Sequence, residues 1–123
     1  MKGVIILDIS VMINNYLKKY NVEVIFSDFV LNDDLQQFDR GQLEDIVAAI
    51  IKRFENNGNP HVISGNWRLK QGLRNYLKIR LLSQMIRIVY KVEERNELTV
   101  ATIIAIGPKH NDLVYDLAKK RLK

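Results

Sequence analysis

The feature that most constrains the fold is a series of three apolar segments between residues 77 and 106, separated only by short polar links. Leu77–Leu81 ("LKIRL") and Ile86–Val92 ("IRIVYKV") alternate between apolar and polar side chains, which predicts strands with one buried face. Leu98–Ile106 ("LTVATIIAI") is almost continuously apolar, which predicts a central strand. The short links "LSQM" and "EERNE" join neighbours, so we predict an antiparallel meander.

Helical patterns flank this meander. The clearest runs from Leu43 to Phe54, with Asp39 as its candidate N-cap and "NNG" at Asn56–Gly58 as its stop. The other predicted elements are a helix over residues 3–20, a strand at Val22–Phe26, a short helix near Asn32–Phe38, a loop over residues 57–75 and a last helix near Asn111–Leu122. This order predicts a small α+β domain with one modest hydrophobic core.

Composition excludes several classes of protein. The chain has no cysteine, which rules out disulfides, thiol nucleophiles and cysteine-ligated metals. The longest apolar run, Val4–Ile13, is interrupted by Asp8 and is too short to span a bilayer. Lys2 is the only basic residue before that run, and no small-residue cleavage site follows it. We therefore expect no signal peptide and a cytoplasmic protein.

Charge is distributed unevenly along the chain, whose formal net charge is +5. Between Glu23 and Glu55 there are eight acidic and only three basic residues. Between Asn66 and Lys91 there are seven basic residues and no acidic one. Such asymmetry favours a polyanion or an acidic protein as partner, and its alternative interpretation is a solvated basic face without a ligand.

The strand pattern predicts where three of these cations lie. In Leu77–Leu81 the apolar side chains share one face, so Lys78 and Arg80 share the other. In Ile86–Val92 the even-numbered apolar residues form the buried face, which places Arg87 on the opposite face. We therefore predict these three cations on one open sheet surface. Neighbouring like charges are unfavourable for folding, so folding does not explain these cations, whereas binding of a phosphate does.

Two segments carry a resemblance to a known family. Tyr76–Val92 ("YLKIRLLSQMIRIVYKV") and Ile103–Leu122 ("IIAIGPKHNDLVYDLAKKRL") resemble the RelE/ParE superfamily of bacterial toxin–antitoxin toxins. They match its basic strand, its "R-[IVL]-V-Y" strand, its strand ending in glycine and its C-terminal helix. Val22–Asp34 ("VEVIFSDFVLNDD") and the helix after Asp39 suit the family's opening strand and helical hairpin.

The resemblance implies a fold and a division of the chain. It covers roughly five-sixths of the sequence, from about Asn21 to the C-terminus. A RelE-like domain at residues 21–123 implies an antiparallel sheet of about four strands, with N-terminal helices on one side and a C-terminal helix. Residues 1–20 are then an additional N-terminal helical extension, whose apolar side chains pack on the core or contact an antitoxin.

The resemblance also implies chemistry. RelE-like ribonucleases cut mRNA in the ribosomal A site by attack of a ribose 2′-OH on its own 3′-phosphate, with neither metal nor cofactor. By position in the family's motifs, the implied catalytic residues are Lys78, Arg80, Arg87, Lys109 and Tyr115. The residues implied to bind RNA are Arg68, Lys70, Arg74, Lys91 and His110. The implied partners are a cognate antitoxin, mRNA and the ribosome.

Departures from the family pattern leave alternatives open. Pro108 and His110 flank Lys109, and Arg80 stands where lysine would transfer protons better. Arg87 has a structural alternative, an ion pair with Glu93 or Glu97, and Tyr115 has one as a core aromatic. At the level of function, the alternatives are a ParE-like inhibitor of DNA gyrase, which is not an enzyme, and an inactive relative that only binds a partner.

Overall fold

The computed structural model describes residues 2–55, 76–81, 83, 85–108 and 113–122, and the side chains from residue 8 onward. The main elements within these ranges are α1 (Lys2–Leu17), β1 (Val22–Phe26), α2 (Arg40–Phe54), β2 (Leu77–Leu81), β3 (Ile86–Arg95), β4 (Leu98–Pro108) and α3 (Leu113–Arg121). All four predicted strands are confirmed, and β1 and β2 have the predicted bounds. The predicted loop over residues 57–75 lies outside the described residues.

The four strands form one sheet in the order β1-β4-β3-β2. β4 is central, as its continuous apolar sequence predicted, and β2, β3 and β4 form the predicted antiparallel meander. β1 differs from the prediction because it runs parallel to β4, with Val24 opposite Ala101. The chain passes through α2, β2 and β3 before it reaches β4, and so long a connection permits parallel pairing.

The main hydrophobic core lies between one face of the sheet and the helices α1 and α2. Ile13 and Leu17 of α1 and Ile50 of α2 are fully buried there, against Ile88 and Tyr90 of β3. The predicted apolar face of β3 is therefore confirmed. α1 contributes to the same core as α2, while the division at residue 20 stays a prediction.

A second, smaller core covers part of the opposite face of the sheet under α3. It consists of five buried residues: Val89, Ile104, Ala105, Val114 and Ala118. The register between β3 and β4 shifts at Val89/Tyr90, so that β4 has one extra residue there. This β-bulge turns both Ile104 and Ala105 toward α3, although neighbouring strand residues normally face opposite sides.

The structure confirms a short helical segment near the predicted Asn32–Phe38, but the segment begins earlier. It consists of a π-helical turn at Val30–Asp34, followed by a 3₁₀ turn at Leu35–Gln37. The wider π turn carries Asp34 into the interior, where the whole residue is only 2% exposed.

Side chains fix the beginning of α2 and the free edge of β1. Asp39 accepts a hydrogen bond from the Gln42 N–H (2.8 Å), and the Gln42 side chain accepts one from the Asp39 N–H (3.0 Å), which confirms the predicted cap. On α1, the Asn14 amide accepts from Val24 N–H (2.7 Å) and donates to the Val24 carbonyl (3.0 Å). The Asn14 side chain thus forms the two hydrogen bonds with the Val24 backbone that a neighbouring strand would otherwise form.

We expect Asn14→Ala to lower the free energy of unfolding by about 1–3 kcal/mol, because both Val24 backbone groups lose their side-chain partner. Urea denaturation followed by circular dichroism measures this change. The control is Asn15→Ala, since Asn15 is the exposed next residue of the same helix. Equal midpoints for the two variants would contradict a structural role for Asn14.

Among the described residues, no helix combines the length and the apolar character that crossing a membrane requires.

Candidate active site

The pairing of β2 with β3 brings the predicted basic residues together. Arg80 lies directly opposite Arg87, and Lys78 lies opposite Val89. Because paired residues point to the same face of a sheet, the cations of both strands lie on the face away from the main core. The predicted common face of Lys78, Arg80 and Arg87 is therefore confirmed.

The predicted openness of this surface is wrong. α3 packs on the same face, through Val114 and Ala118 against Val89. Arg87 is only 4% exposed, Lys78 is half-buried and Arg80 is exposed. The three cations therefore do not form an open patch. Their exposure to solvent increases from Arg87 through Lys78 to Arg80.

Arg87 has a local acceptor and does not form either of the ion pairs considered as alternatives. Its Nη1 donates to the carbonyl of Ile86 at 3.1 Å. Glu93 is held by other cations, since Lys91 Nζ lies 3.1 Å and Arg95 Nη2 lies 3.2 Å from its carboxylate. Hydrogen bonds from Lys91 and Arg95 hold the pKa of Glu93 below its usual value. Within the described residues, no carboxylate pairs with Arg87.

Tyr115 is positioned beside Lys78 by the packing of α3. The Nζ of Lys78 lies 5.7 Å from the centroid of the Tyr115 ring, within the range of a cation–π contact. Tyr115 also packs against the second core, as Tyr76 does. Tyr115 therefore has both a structural contact and a place in the basic site.

Gly107 lies next to the first turn of α3. It lies directly opposite Arg87 in the sheet. A Cβ atom added to Gly107 would lie 3.5 Å from the Cβ and Cγ2 atoms of Val114, which is an ordinary van der Waals distance. The first turn of α3 therefore lies close to the strand position opposite Arg87, although this spacing does not require glycine.

Comparisons with known proteins agree with this arrangement of elements. No protein-family model matches the chain. A protein of Escherichia coli described as a putative RelE-like toxin is 32% identical over 65 residues, which cover 53% of this chain and 63% of that relative. The chain thus spans less than two thirds of the relative's length.

Two solved structures of the E. coli toxin RelE share the fold. One is a double arginine-to-alanine mutant in the free state, with a TM-score of 0.61 and 24% identity over 81% of this chain and 96% of RelE. The other is the isolated toxin, with a TM-score of 0.56 and 23% identity over 81% and 97% of the two chains. The chain has the RelE fold. The predicted resemblance and α+β class are thereby confirmed.

Of the remaining site residues implied by the family, only Lys91 belongs to the described residues. Lys91 is on β3, four residues beyond Arg87, and its ion pair with Glu93 engages its charge. The others lie outside the described residues, and their roles stay predictions: Arg68, Lys70, Arg74, Lys109 and His110. Among the described residues, no cluster of His, Cys, Asp or Glu side chains is arranged to hold a metal ion.

Sequence reasoning missed a buried ion pair that fixes α3 on this fold. Arg121, at the end of α3, donates from Nη2 to Asp34 Oδ1 (2.7 Å) and from Nη1 to Asp34 Oδ2 (2.8 Å). Nη1 also donates to the carbonyl of Ile104, and Asp34 accepts from the Ile106 N–H, both at 2.8 Å. Because the partners are far apart in sequence, no local pattern indicates the pair.

Sequence reasoning also missed the contacts by which Arg53 of α2 supports β2. Arg53 donates to the Tyr90 hydroxyl (2.7 Å) and to the backbone carbonyl of Lys78 (3.3 Å). The ring of Phe54 packs edge-on against Tyr90, with centroids 5.2 Å apart. Burial raises the pKa of the Tyr90 hydroxyl, and the charge of Arg53 opposes that rise. Arg53 thereby holds the backbone of Lys78 in place.

Proposed function

We propose that this protein is the toxin of a toxin–antitoxin system and acts as a metal-independent endoribonuclease. Its substrate is mRNA, cut on the ribosome in the cytoplasm, and its effect is to inhibit translation. The observation that supports this best is the alignment of Arg80 opposite Arg87 on a RelE fold, with Lys78 beside Tyr115. A cognate antitoxin with an acidic or amphipathic segment is its proposed protein partner.

The proposed reaction is a transesterification within the RNA. The ribose 2′-oxygen attacks the adjacent phosphorus while the bond from phosphorus to the 5′-oxygen of the next nucleotide breaks. A base takes the proton of the 2′-OH and an acid gives one to the departing 5′-oxygen. The products are a 2′,3′-cyclic phosphate and a free 5′-OH, and no oxidant or metal enters the balance.

The described residues divide this work by burial and chemistry. Arg87 is buried and permanently charged, so it suits the stabilisation of the phosphorane without reorganisation. Arg80 is exposed and suits the binding of an approaching phosphate. Lys78 and Tyr115 are the candidates for proton transfer because both carry transferable protons. We assign Lys109 a supporting charge and His110 a secondary acid–base role from the family resemblance.

We expect expression of this chain alone to arrest bacterial growth, with protein synthesis stopping before DNA replication. Pulse labelling of both processes measures the order, and mapping of new mRNA 5′ ends after brief induction identifies cleavage. The control is the vector with a stop codon early in the reading frame. Replication arrest with gyrase-linked DNA breaks would support the ParE-like alternative, and arrest without new 5′ ends would support a relative that only binds a partner.

A further inference from the structure

A cavity of about 490 Å³ lies between α2 and the edge strand β2, on the opposite side of that strand from α3. Its floor is apolar and is made by Ala48, Ala49, Ile79 and Leu81. The size is within the range of cavities that hold small organic ligands. Among the described residues, the two small alanine side chains leave space between α2 and the strand.

Cations dominate the polar rim of this cavity. Lys52, Arg53 and Arg80 line it together with one carboxylate, that of Asp45, and the side chain of Ser83. Lys52 and Arg80 are exposed, and in the part of the chain that the structure describes neither has an ion-pair partner. The exposed cations Lys52 and Arg80 beside an apolar surface suit a ligand that combines an anion with a flat apolar group.

Arg80 connects the cavity with the candidate active site. It lines the cavity, and it also lies opposite Arg87 across the β2–β3 pair. A single RNA strand bound at Arg87 therefore meets Arg80 next and can turn around the edge strand into the cavity. This continuity favours a nucleotide over a peptide as the occupant.

We propose that the α2–β2 cavity binds one nucleotide of the RNA substrate, next to the scissile phosphate. Lys52 contacts its phosphate, and the base lies against Ala48, Ala49 and Ile79. Ser83 offers a hydroxyl group to the edge of the base. The proposal rests on the proposed nuclease function and adds a binding subsite to it.

The test measures binding of a short 2′-O-methyl oligouridylate, which cannot be cleaved, to the full chain over a series of salt concentrations. We expect Lys52→Gln to weaken binding about three- to tenfold and to reduce the salt slope by about 0.7, the loss of one contact to a single strand. Lys52→Arg should retain most of the affinity. The matched control is Lys18→Gln, which removes the same charge from an exposed position beside β1, at the other edge of the sheet.

The outcomes separate the cavity from the proposed function. Equal binding by Lys52→Gln and Lys18→Gln would overturn the nucleotide subsite, and so would an oligouridylate that does not bind the native chain. Cleavage mapped in cells with native protein tests the nuclease function independently of either result. If Lys52→Gln instead weakens binding of poly-glutamate and leaves oligouridylate binding unchanged, the cavity is a peptide groove and the proposal is wrong.

Discussion

Replacing Asp34 with alanine is expected to lower the free energy of unfolding by about 3–5 kcal/mol, because it leaves the Arg121 guanidinium buried without a counter-charge. The side chains of Asp34 and Arg121 are only 3% and 9% exposed, and the Ile106 N–H loses its acceptor as well. Chemical denaturation with urea measures the change.

An exposed ion pair provides the control. Arg40 and Glu44 lie one turn apart on α2, 3.5 Å from each other, with side chains 82% and 70% exposed. We expect Glu44→Ala to change the stability by less than about 1 kcal/mol. The double variant Asp34→Ala, Arg121→Ala should lose less than the sum of its single variants, since the two residues interact directly. A loss below about 1 kcal/mol for Asp34→Ala would mean that this pair does not fix α3.

Arg87→Ala is expected to reduce mRNA cleavage about a hundredfold, the usual effect of removing one preorganised charge from a transition state, or roughly 3 kcal/mol. The fold should persist, because Arg87 points away from the main core. New mRNA 5′ ends, normalised to the amount of folded protein, measure the effect. Arg87→Lys should restore only part of the cleavage, since lysine cannot form a bidentate contact with phosphate.

Two further variants in β3 serve as controls for this experiment. Arg95→Ala removes an arginine from the same face of β3, eight residues away or about 27 Å, and should leave cleavage unchanged. Ile88→Asp should unfold the protein by placing a carboxylate at a fully buried position. A folded Arg87→Ala protein with full cleavage would contradict the phosphate-binding role. An unfolded one would show that Arg87 is structural.

Local patterns were sufficient to predict the strands and the alignment of the cations. Successive side chains of a strand point to opposite faces. The alternation in Leu77–Leu81 and Ile86–Val92 therefore places the three cations on one face: Lys78, Arg80 and Arg87. The N-cap at Asp39 was likewise predicted from nearby residues, whereas its reciprocal hydrogen bond with Gln42 was not. These features depend on neighbours in the sequence, which is why they were predictable.

The features that could not be predicted depend on contacts between distant segments. Arg87 is buried because α3 lies over β3 and β4, and the pattern of α3 does not specify the face on which it packs. The ion pair of Asp34 with Arg121 joins residues 87 positions apart. The bulge at Ile104 could not be predicted either, because a continuous apolar segment has the same hydrophobic pattern with or without a bulge.

The contact of Asn14 with Val24 also limits how copies of this protein can assemble. A sheet with two free edges can add strands from other molecules at both ends, which allows fibrils to grow without limit. Here the side chain of Asn14 occupies the backbone groups at the middle of β1, and α1 packs alongside. The β1 edge therefore cannot pair with a strand of another molecule at Val24, so a sheet cannot grow without limit through this edge.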